Sequence, residues 1–491
     1  MKPADTPNET ALLQRIAQLE KLVVELLAKC DASEARAQAA EARATAAEAR
    51  ADAAEAKCKK LEDRIAKLEK DSSNSSLPPS SDIAPPPKTP KPKSGKKIGG
   101  QPGHEKHTRT PFPPEKVTST VLHVIPEEEA RLRGLTFVCF EKHQQVKLKK
   151  NPYDIFEHHR AVYRDGMGNT VHADWKDPTN AGLLCPLFKA MIATLNVSCH
   201  ASIRNIQDFL SAAFCLPVST GYLCKVLAQT SESVKPAWEE ARDLVPSQKR
   251  VFMDETGHKN NGEGKKWWCW AVVADTFTFF AIRASRGRKV ALEILTAAFK
   301  GLLHSDYLPV YVHIDKDGTW KIQHCLAHLI RDLKWAAEYP DEAVARWGKQ
   351  VLELVRLVLH LHHQGRRKDA EQARDAVLVW ADKSVVPNHE ATRPLGVRFR
   401  EHGERYFRFL WDPLAEPTNN RAERAIRPTV IHRKCTQGTR GDTGQRWWER
   451  AWTVVATCRQ HGRSAFHFFA DALVAKAHGR ACPSLMPVAA V

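Results

Sequence analysis

The hydrophobic pattern near the start of the chain predicts one long helix. From residue 12 to residue 68, apolar or small residues recur at alternating steps of four and three, the spacing of a coiled-coil seam. The seam positions are large at both ends and alanine in the middle, where an Ala-Glu-Ala-Arg theme repeats. Alanine contributes little buried area, so the two ends are expected to provide most of the stability of a dimer. We therefore predict a dimerising coiled coil over residues 8–71.

The helical periodicity then gives way to shorter segments. Residues 72–114 are a basic linker rich in Ser, Pro and Lys, and residues 115–180 have strand-like runs at 118–124 and 161–171 that predict a small β-rich module. Residues 181–245 predict helices, two of which flank a short turn as in a helix-turn-helix, and Ser219 is expected to cap the second. A generic helical hairpin would have the same pattern.

Residues 249–475 begin with short apolar runs that predict three strands, a helix and a fourth strand. This is the element order of a ribonuclease-H-like fold, here with a helical insertion at about 338–412. Residues 476–491 form a C-terminal tail. The predicted fold class is therefore α/β, with a ribonuclease-H-like catalytic core preceded by the coiled coil and a helical DNA-binding region.

Three acidic residues stand where these patterns begin or end. Asp254 ends the first predicted strand, Asp306 follows the fourth, and Glu423 lies in a later helix. The first and fourth strands of such a core are neighbours, so their acids would meet across a gap of roughly 5 Å. Carboxylates gathered in this way hold two divalent cations on a phosphodiester, whereas each acid alone would be an ordinary surface residue. Asn419 and Asn420 precede Glu423 and are expected to cap its helix and orient the acid.

The second acid has a competitor. Residues 310–314 also have the pattern of a strand, which would end at Asp315, so sequence order alone leaves both Asp306 and Asp315 open. Glu255 directly follows Asp254, and it is less suited as a metal ligand because it would point to the opposite face of the strand.

Composition favours a polyanionic partner. The 491 residues have a formal net charge of +17, and the positive charge is clustered, which favours DNA. In the linker the expected phosphate contacts are Lys91, Lys93, Lys96 and Lys97. Beside the third acid they are Arg424, Arg427, Arg433, Lys434 and Arg440. The alternatives are a solubilising linker and a solvated basic helix face.

The cysteines and apolar runs indicate the compartment. None of the twelve cysteines forms a Cys-x-x-Cys pair, which argues against a zinc ribbon and a dense disulfide framework. The chain has neither a secretory apolar region nor a run of about 20 apolar residues. A soluble cytosolic protein with reduced thiols is expected.

Several motifs together resemble a known family. The chain resembles a transposase of insertion-sequence family sixty-six, within the DDE superfamily, over nearly its whole length. The matching segments are Asn-Ser-Ser-Leu-Pro-Pro-Ser-Ser-Asp at 74–82, Gly-Gln-Pro-Gly-His at 100–104, Asp-Glu-Thr at 254–256, Cys-Leu-Ala-His-Leu-Ile-Arg-Asp at 325–332 and Thr-Asn-Asn-Arg-Ala-Glu-Arg-Ala-Ile-Arg-Pro at 418–428.

The resemblance implies catalytic and metal-binding roles for Asp254, Asp306 and Glu423, with Mg²⁺ or Mn²⁺ as the ion. It favours Asp306 over Asp315, because residues 305–311 resemble the family's Ser-Asp-x-Tyr-x-x-Tyr segment with the last tyrosine in step. The first tyrosine comes one residue early.

The resemblance also implies cleavage at insertion-sequence ends and transfer of the 3′-OH strand into target DNA. The implied partners are terminal inverted repeats, target DNA, accessory proteins of the same element and a second copy of the chain. The implied location is the bacterial cytoplasm, at the nucleoid and away from membranes. A catalytically inactive DNA-binding protein derived from such a transposase is the alternative.

One segment departs from the family. Such proteins usually carry a cysteine-based zinc-binding segment after the basic linker, but residues 118–175 contain only Cys139. His123, His158, His159 and His172 do not restore a convincing ligand set in this segment. Zinc binding is therefore in doubt, and residues 115–180 resemble a degenerate zinc-binding-like module.

Overall fold

The computed structural model of the chain describes residues 7–68, 111–136, 138–140, 143–146, 152–261, 264, 266–314 and 320–487. Contacts divide the chain into two compact units. The first lies within Met1–Pro86 and Cys325–Pro413, and the second within Pro87–His324 and Leu414–Val491.

The regular elements of the described residues are numbered in chain order. The strands are β1 (Val162–Arg164), β2 (Thr170–His172), β3 (Arg250–His258), β4 (Asn260–Asn261), β5 (Trp267–Val273), β6 (Thr278–Arg283), β7 (Leu302–Ser305), β8 (Lys321–His324) and β9 (Thr439–Arg440). The helices are α1 (Pro7–Leu68), α2 (Glu127–Leu132), α3 (Pro186–Val197), α4 (Ile203–Phe214), α5 (Thr220–Ser233), α6 (Lys235–Leu244), α7 (Arg288–Leu295), α8 (Pro309–Val312), α9 (Leu326–Ala337), α10 (Glu342–His363), α11 (Arg367–Trp380), α12 (Arg393–Phe407), α13 (Asn420–Thr436), α14 (Gly441–Gln460) and α15 (Ala465–Ala477).

A mixed five-stranded sheet organises the second unit. Its strand order is β6-β5-β3-β7-β8, with antiparallel pairing from β6 to β3 and parallel pairing from β3 to β8. Helices cover both faces of the sheet, and the side chains of β5, which alternate between the two faces, show this. Cys269 and Ala271 pack in a core formed with α3, α5, α14 and α15, whereas Trp270 and Val272 pack in a core formed with α6 and α7. The sheet thus supports a layer of helices on each face.

Helix α14 closes one edge of this sheet. Three of its side chains, spaced four residues apart, accept hydrogen bonds from alternate backbone amides of the edge strand β6. The bonds run from Ile282 N to Glu449 Oε2 (2.7 Å), from Phe280 N to Thr453 Oγ1 (3.0 Å) and from Thr278 N to Thr457 Oγ1 (3.1 Å). Four helical residues rise about 6 Å and two strand residues about 6.6 Å, so the two ladders stay in step. These three backbone N–H groups of the edge strand therefore have hydrogen-bond acceptors without another strand beside them.

Helices α4 and α5 form the hairpin that the sequence predicts. The Oγ of Ser219 accepts a hydrogen bond of 3.1 Å from the backbone N–H of Tyr222, so the predicted cap is confirmed. Ser202 caps α4 in the same way, and Cys215 ends that helix with a left-handed φ of 51°. DNA recognition by this hairpin stays a prediction.

The first unit contains α1, α9, α10, α11 and α12. Helix α1 is continuous over the heptad region, and its C-terminal end docks on α9. Trp335 Nε1 donates a 3.1 Å hydrogen bond to the carbonyl oxygen of Ala66, and the Tyr339 hydroxyl donates one of 2.8 Å to Asp63. The large seam residues near the other end are exposed: Leu12, Ile16, Leu19, Val23 and Leu26. Pairing of two such helices stays a prediction.

Two local expectations were wrong. Residues 118–124 have no regular structure, and within 115–180 the described strands are only the three-residue pair β1 and β2. The run at 310–314 is not a strand, because Pro309 starts the short helix α8 there. Proline suits the first turn of a helix, where its missing N–H removes no bond.

Across the described ranges, no helix is both long enough and apolar enough to cross a membrane.

Candidate active site

Asp254 lies in the central strand of the sheet. In β3 it pairs with Ala271 of β5, and two residues earlier Phe252 pairs with His304 of β7. Its Oδ1 accepts a 2.8 Å hydrogen bond from the backbone N–H of Glu255. Burial, followed by the charges of nearby acids, raises the pKa of Asp254 well above its usual value; these acids are Asp306, Glu255 and Glu423. The predicted first acid is thus close to both of its predicted partners.

Asp306 directly follows β7, whose last residue Ser305 is fully buried and pairs with His324 of β8. An oxygen atom of the Asp306 carboxylate lies within 4.8 Å of one from Glu423. The competing acid Asp315 lies outside the described residues, and the strand expected to carry it is replaced by α8.

Glu423 lies in the first turn of α13, where the positive end of the helix dipole stabilises a carboxylate. Asn419 occupies the N-cap position, but its side chain accepts no hydrogen bond from the helix, contrary to expectation. Its Nδ2 instead donates a 2.9 Å hydrogen bond to the carbonyl oxygen of Met253. The start of α13 is therefore tied to the residue before Asp254. Asn420 is the first helical residue.

Sequence reasoning missed His304, which lies two residues before Asp306. The imidazole is fully buried and stacks on the ring of Phe252 with centroids 3.9 Å apart. Its Nε2 accepts from the backbone N–H of Glu416, and its Nδ1 lies 3.3 Å from the carbonyl oxygen of Val251. Because Nε2 accepts from an N–H, the proton of the neutral ring lies on Nδ1.

A network of four charges surrounds the segment that enters α13. Arg421 lies 2.6 Å from Glu416 and 3.1 Å from Asp275, and Arg250 lies 3.0 Å from the same Asp275. Arg250 also lies 3.5 Å from Glu416. These shared ion pairs fix residues 414–421 against the start of β3, a role that neither spacing nor composition indicated.

Glu255 points to the opposite sheet face from Asp254, as strand alternation predicts. Its side chain is fully buried, with Oε1 2.7 Å from Nε of Arg286 and Oε2 2.5 Å from the hydroxyl of Tyr311. Burial raises the pKa of Glu255 despite these hydrogen bonds. Burial and the charge of Glu255 raise the pKa of Tyr311 well above its usual value, so the phenol keeps its proton and donates.

The predicted DNA contacts fall into two sets. Along α13, Arg424, Arg427 and Lys434 are exposed, and helical spacing places them on one side with Glu423. Arg440 in β9 is also exposed. Arg433 differs, because it is half-buried and its Nη1 lies 3.4 Å from Oγ1 of Thr256 in β3. The linker lysines lie outside the described residues; they are Lys91, Lys93, Lys96 and Lys97.

Two family models match the chain. The model described as "Transposase IS66 family" matches residues 181–446, which is more than half of the chain and includes Asp254, Asp306 and Glu423. A family of unknown function (DUF6444) matches residues 9–110.

Among curated proteins, the chain is similar to the uncharacterized protein y4qI of Sinorhizobium fredii (strain NBRC 101917 / NGR234). The two are 24% identical over 270 residues, which cover 48% of this chain and 49% of that protein. The chain therefore spans about half the length of this relative.

Proposed function

Because the chain belongs to the IS66 family of transposases, we propose that it cuts DNA at the ends of an insertion sequence and joins the freed 3′-OH to target DNA. The observation that carries this proposal is the convergence of carboxylates from three distant segments. The charges of Asp306 and Glu423 both act on the buried Asp254. A carboxylate oxygen of Asp306 also lies within 4.8 Å of one of Glu423. A cluster of like charges is unfavourable for folding and is typical of a functional site.

The strand order supports a ribonuclease-H-like catalytic core. The first and fourth strands of the predicted order are β3 and β7, which are hydrogen-bonded neighbours in the sheet. They bring Asp254 and the residue after Ser305 to one region. Helix α13 packs on β3 and contributes the third acid from the side, as a helix following a long insertion would.

The donor set fits Mg²⁺ or Mn²⁺. Both ions prefer hard oxygen ligands such as the carboxylates of Asp254, Asp306 and Glu423. Burial, and after it the neighbouring negative charges, raise the pKa of Asp254, and a divalent cation would offset those charges. Two such ions, when bound, lower the pKa of an attacking water and stabilise charge on the phosphodiester oxygens.

The protein's own groups would bind and orient the DNA. The exposed cations Arg424, Arg427 and Lys434 follow Glu423 along α13 and would contact phosphates beside the scissile bond. Holding the strand at several phosphates fixes the attacking and leaving oxygens in line, which removes much of the entropic part of the barrier. The ties from Asn419 and His304 keep the three acid-bearing segments in register during this step.

The wider assembly follows from the same proposal. Terminal inverted repeats and target DNA are the proposed ligands, and the linker lysines add phosphate contacts that weaken with salt. The exposed seam of α1 would pair two protomers, so that both ends of the element are held together. Accessory proteins of the same element, and the nucleoid of the bacterial cytoplasm, complete the proposed setting.

The test is Mg²⁺-dependent cleavage and strand joining on DNA that carries both ends of the insertion sequence encoding this chain. Wild type is compared with Asp254→Asn, Asp306→Asn, Glu423→Gln and Asp315→Asn. We expect the first three variants to lose at least about 10³-fold in rate, consistent with the loss of a group acting in the transition state. Asp315→Asn should retain activity.

Two results would change the proposal. If wild type binds the ends in a salt-sensitive manner but cuts none of them under Mg²⁺ or Mn²⁺, the inactive DNA-binding alternative replaces it. If Asp315→Asn is inactive and Asp306→Asn is active, the second acid is misassigned.

A further inference from the structure

We propose that Glu255, Tyr311 and Arg286 form a brace that holds Asp306 near Asp254 before any cation binds. These three are positioning residues and do not themselves contact the DNA or the ion. The inference rests on the proposed function, because it assigns a role within the same acid cluster.

The centre of the brace is a carboxylate removed from solvent. The side chain of Glu255 is fully buried, and each of its two oxygens accepts one short hydrogen bond, from Arg286 and Tyr311. Hydrogen bonds to a charged acceptor are about twice as strong as neutral ones. The carboxylate therefore fixes two separate chain segments to β3, one residue after Asp254.

Tyr311 connects the brace to the second acid. It lies in α8, five residues after Asp306, and is fully buried. Ser305, on the other side of Asp306, is held in the ladder between β7 and β8. The short segment that carries Asp306 is thus fixed at both ends, by strand pairing before it and by the Tyr311 hydroxyl after it.

Arg286 is the third member of the brace. Its guanidinium lies 4.8 Å from the ring centroid of Trp268 in β5 and donates through Nε to Glu255. Stacking and hydrogen bonding together restrict a side chain that would otherwise be mobile. Its positive charge also compensates the buried carboxylate, which would be unfavourable alone.

The brace would oppose the electrostatic repulsion within the acid cluster. Without cations, Asp254, Asp306 and Glu423 repel one another, and the segment after β7 would relieve the repulsion by moving outward. A preformed cluster binds cations without first reorganising. In a relaxed cluster, bringing the acids back together uses part of the binding free energy, so the cation binds more weakly. Loss of the brace should therefore weaken ion binding more than it slows the reaction at saturating ion.

The test uses the full chain and the single-atom change Tyr311→Phe. Its matched control is Tyr339→Phe in the first unit, which also removes a phenol–carboxylate hydrogen bond, the one to Asp63. We expect the dissociation constant for Mn²⁺, measured without DNA by electron paramagnetic resonance, to rise roughly tenfold in Tyr311→Phe, as for other groups that orient metal ligands. Tyr339→Phe should bind Mn²⁺ like wild type.

The dependence of cleavage on Mg²⁺ gives a second readout. Tyr311→Phe should shift the half-saturating Mg²⁺ concentration by a similar factor, with kcat at saturation within about twofold of wild type. Glu255→Gln should weaken Mn²⁺ binding too, and Tyr311→Phe should add little in that background, because both act through one contact. Equal Mn²⁺ affinity in Tyr311→Phe and Tyr339→Phe, with both folded, overturns the brace.

The two proposals fail differently. If wild type binds Mn²⁺ and Tyr311→Phe weakens that binding, but no DNA is cut, the brace stands and the transposase reaction does not. If DNA is cut with unchanged Mg²⁺ dependence in Tyr311→Phe, the reaction stands and the brace does not. Arg286→Lys, which keeps the charge but loses the planar fork, serves if Tyr311→Phe does not fold.

Discussion

The imidazole Nε2 of His304 accepts a hydrogen bond of 2.8 Å from the backbone N–H of Glu416. His304 lies two residues before Asp306, and Glu416 lies seven residues before Glu423. A single buried side chain therefore links the segments of two candidate acids. This bond and the one from Asn419 to the Met253 carbonyl together connect all three acid-bearing segments, each through a backbone atom.

We expect His304→Phe to destabilise the protein by roughly 2–4 kcal/mol, because the ring stacking is kept while the part-buried N–H of Glu416 loses its acceptor and the buried carbonyl of Val251 loses a donor. Urea unfolding with an unchanged m-value measures this. The control is His478→Phe at an exposed histidine whose Nδ1 also contacts a backbone carbonyl, and it should change stability by less than about 0.5 kcal/mol. Similar losses in both variants would contradict the role of the His304–Glu416 bond.

Three buried histidines should make the protein acid-sensitive. Burial lowers the pKa of His304 to about 3, of His432 to about 3 and of His258 to about 4. Because these folded-state values are below the unfolded value near 6.5, the unfolded chain takes up protons first as the pH falls. Their contribution to stability is complete above about pH 6.5, and it is lost below that by roughly 2 kcal/mol per histidine at pH 5.

Urea unfolding at pH 7.5 and pH 5 measures this loss. The raised pKa of Asp254 acts in the opposite direction, so His432→Phe is compared with wild type at each pH. The stability difference between the two proteins should narrow or reverse at pH 5, whereas for the exposed His467→Phe it should stay constant. A difference for His432→Phe that does not depend on pH would contradict the assignment.

Thr453→Val should weaken the contact between α14 and the edge of the sheet. The change keeps the shape but leaves the buried amide of Phe280 without its acceptor, which costs roughly 1–3 kcal/mol. Hydrogen exchange should show faster exchange of the Phe280 amide than of its neighbours. Thr194→Val is the control, because that hydroxyl bonds only a carbonyl of its own helix. An unchanged exchange rate at Phe280 would argue against the side-chain ladder.

Arg427→Gln should lower DNA affinity and its dependence on salt. If Arg427 neutralises one phosphate, the slope of log K against log salt concentration should fall in magnitude by about 0.9. Titrations of end-containing and unrelated DNA at several salt concentrations measure this. Lys349→Gln, at an exposed position of α10, should leave the slope unchanged. Equal slopes in all three proteins would remove α13 from the DNA surface.

Leu19→Glu with Leu26→Glu should convert a dimer into monomers in light scattering, because both residues lie on the exposed heptad seam of α1. Leu22→Glu is the matched control, since Leu22 is similarly exposed but lies off the seam. Dissociation by Leu22→Glu alone, or a monomeric wild type, would contradict pairing through this seam.

Much of the second unit follows from local patterns. Short apolar runs predict β3, β5, β6 and β7, and turn chemistry predicts the Ser219 cap. The helix at 309–312 was missed because four apolar residues fit a strand as well, and only Pro309 argues otherwise. Asn419 was expected to cap α13, yet its bond goes to Met253, which is distant in sequence.

The candidate site was only partly accessible from sequence. The acids Asp254, Asp306 and Glu423 stand in recognisable motifs, and their shared role stays a proposal. Glu255 and His304 could not be assigned, because their partners lie in other segments and make contact through single atoms. Tyr311 could be recognised as the last tyrosine of the Ser-Asp-x-Tyr-x-x-Tyr segment, but that motif does not specify the hydrogen-bond partner of its hydroxyl.

The match between α14 and β6 has a consequence for how chain length can change. Inserting one residue within β6 would turn every following amide away from the helix, so that all three bonds could not survive together. An insertion of two residues would restore the facing amides but displace them by about 6.6 Å, close to one spacing of the helix ladder. Length variation is therefore tolerable here only in steps of two in the strand or four in the helix.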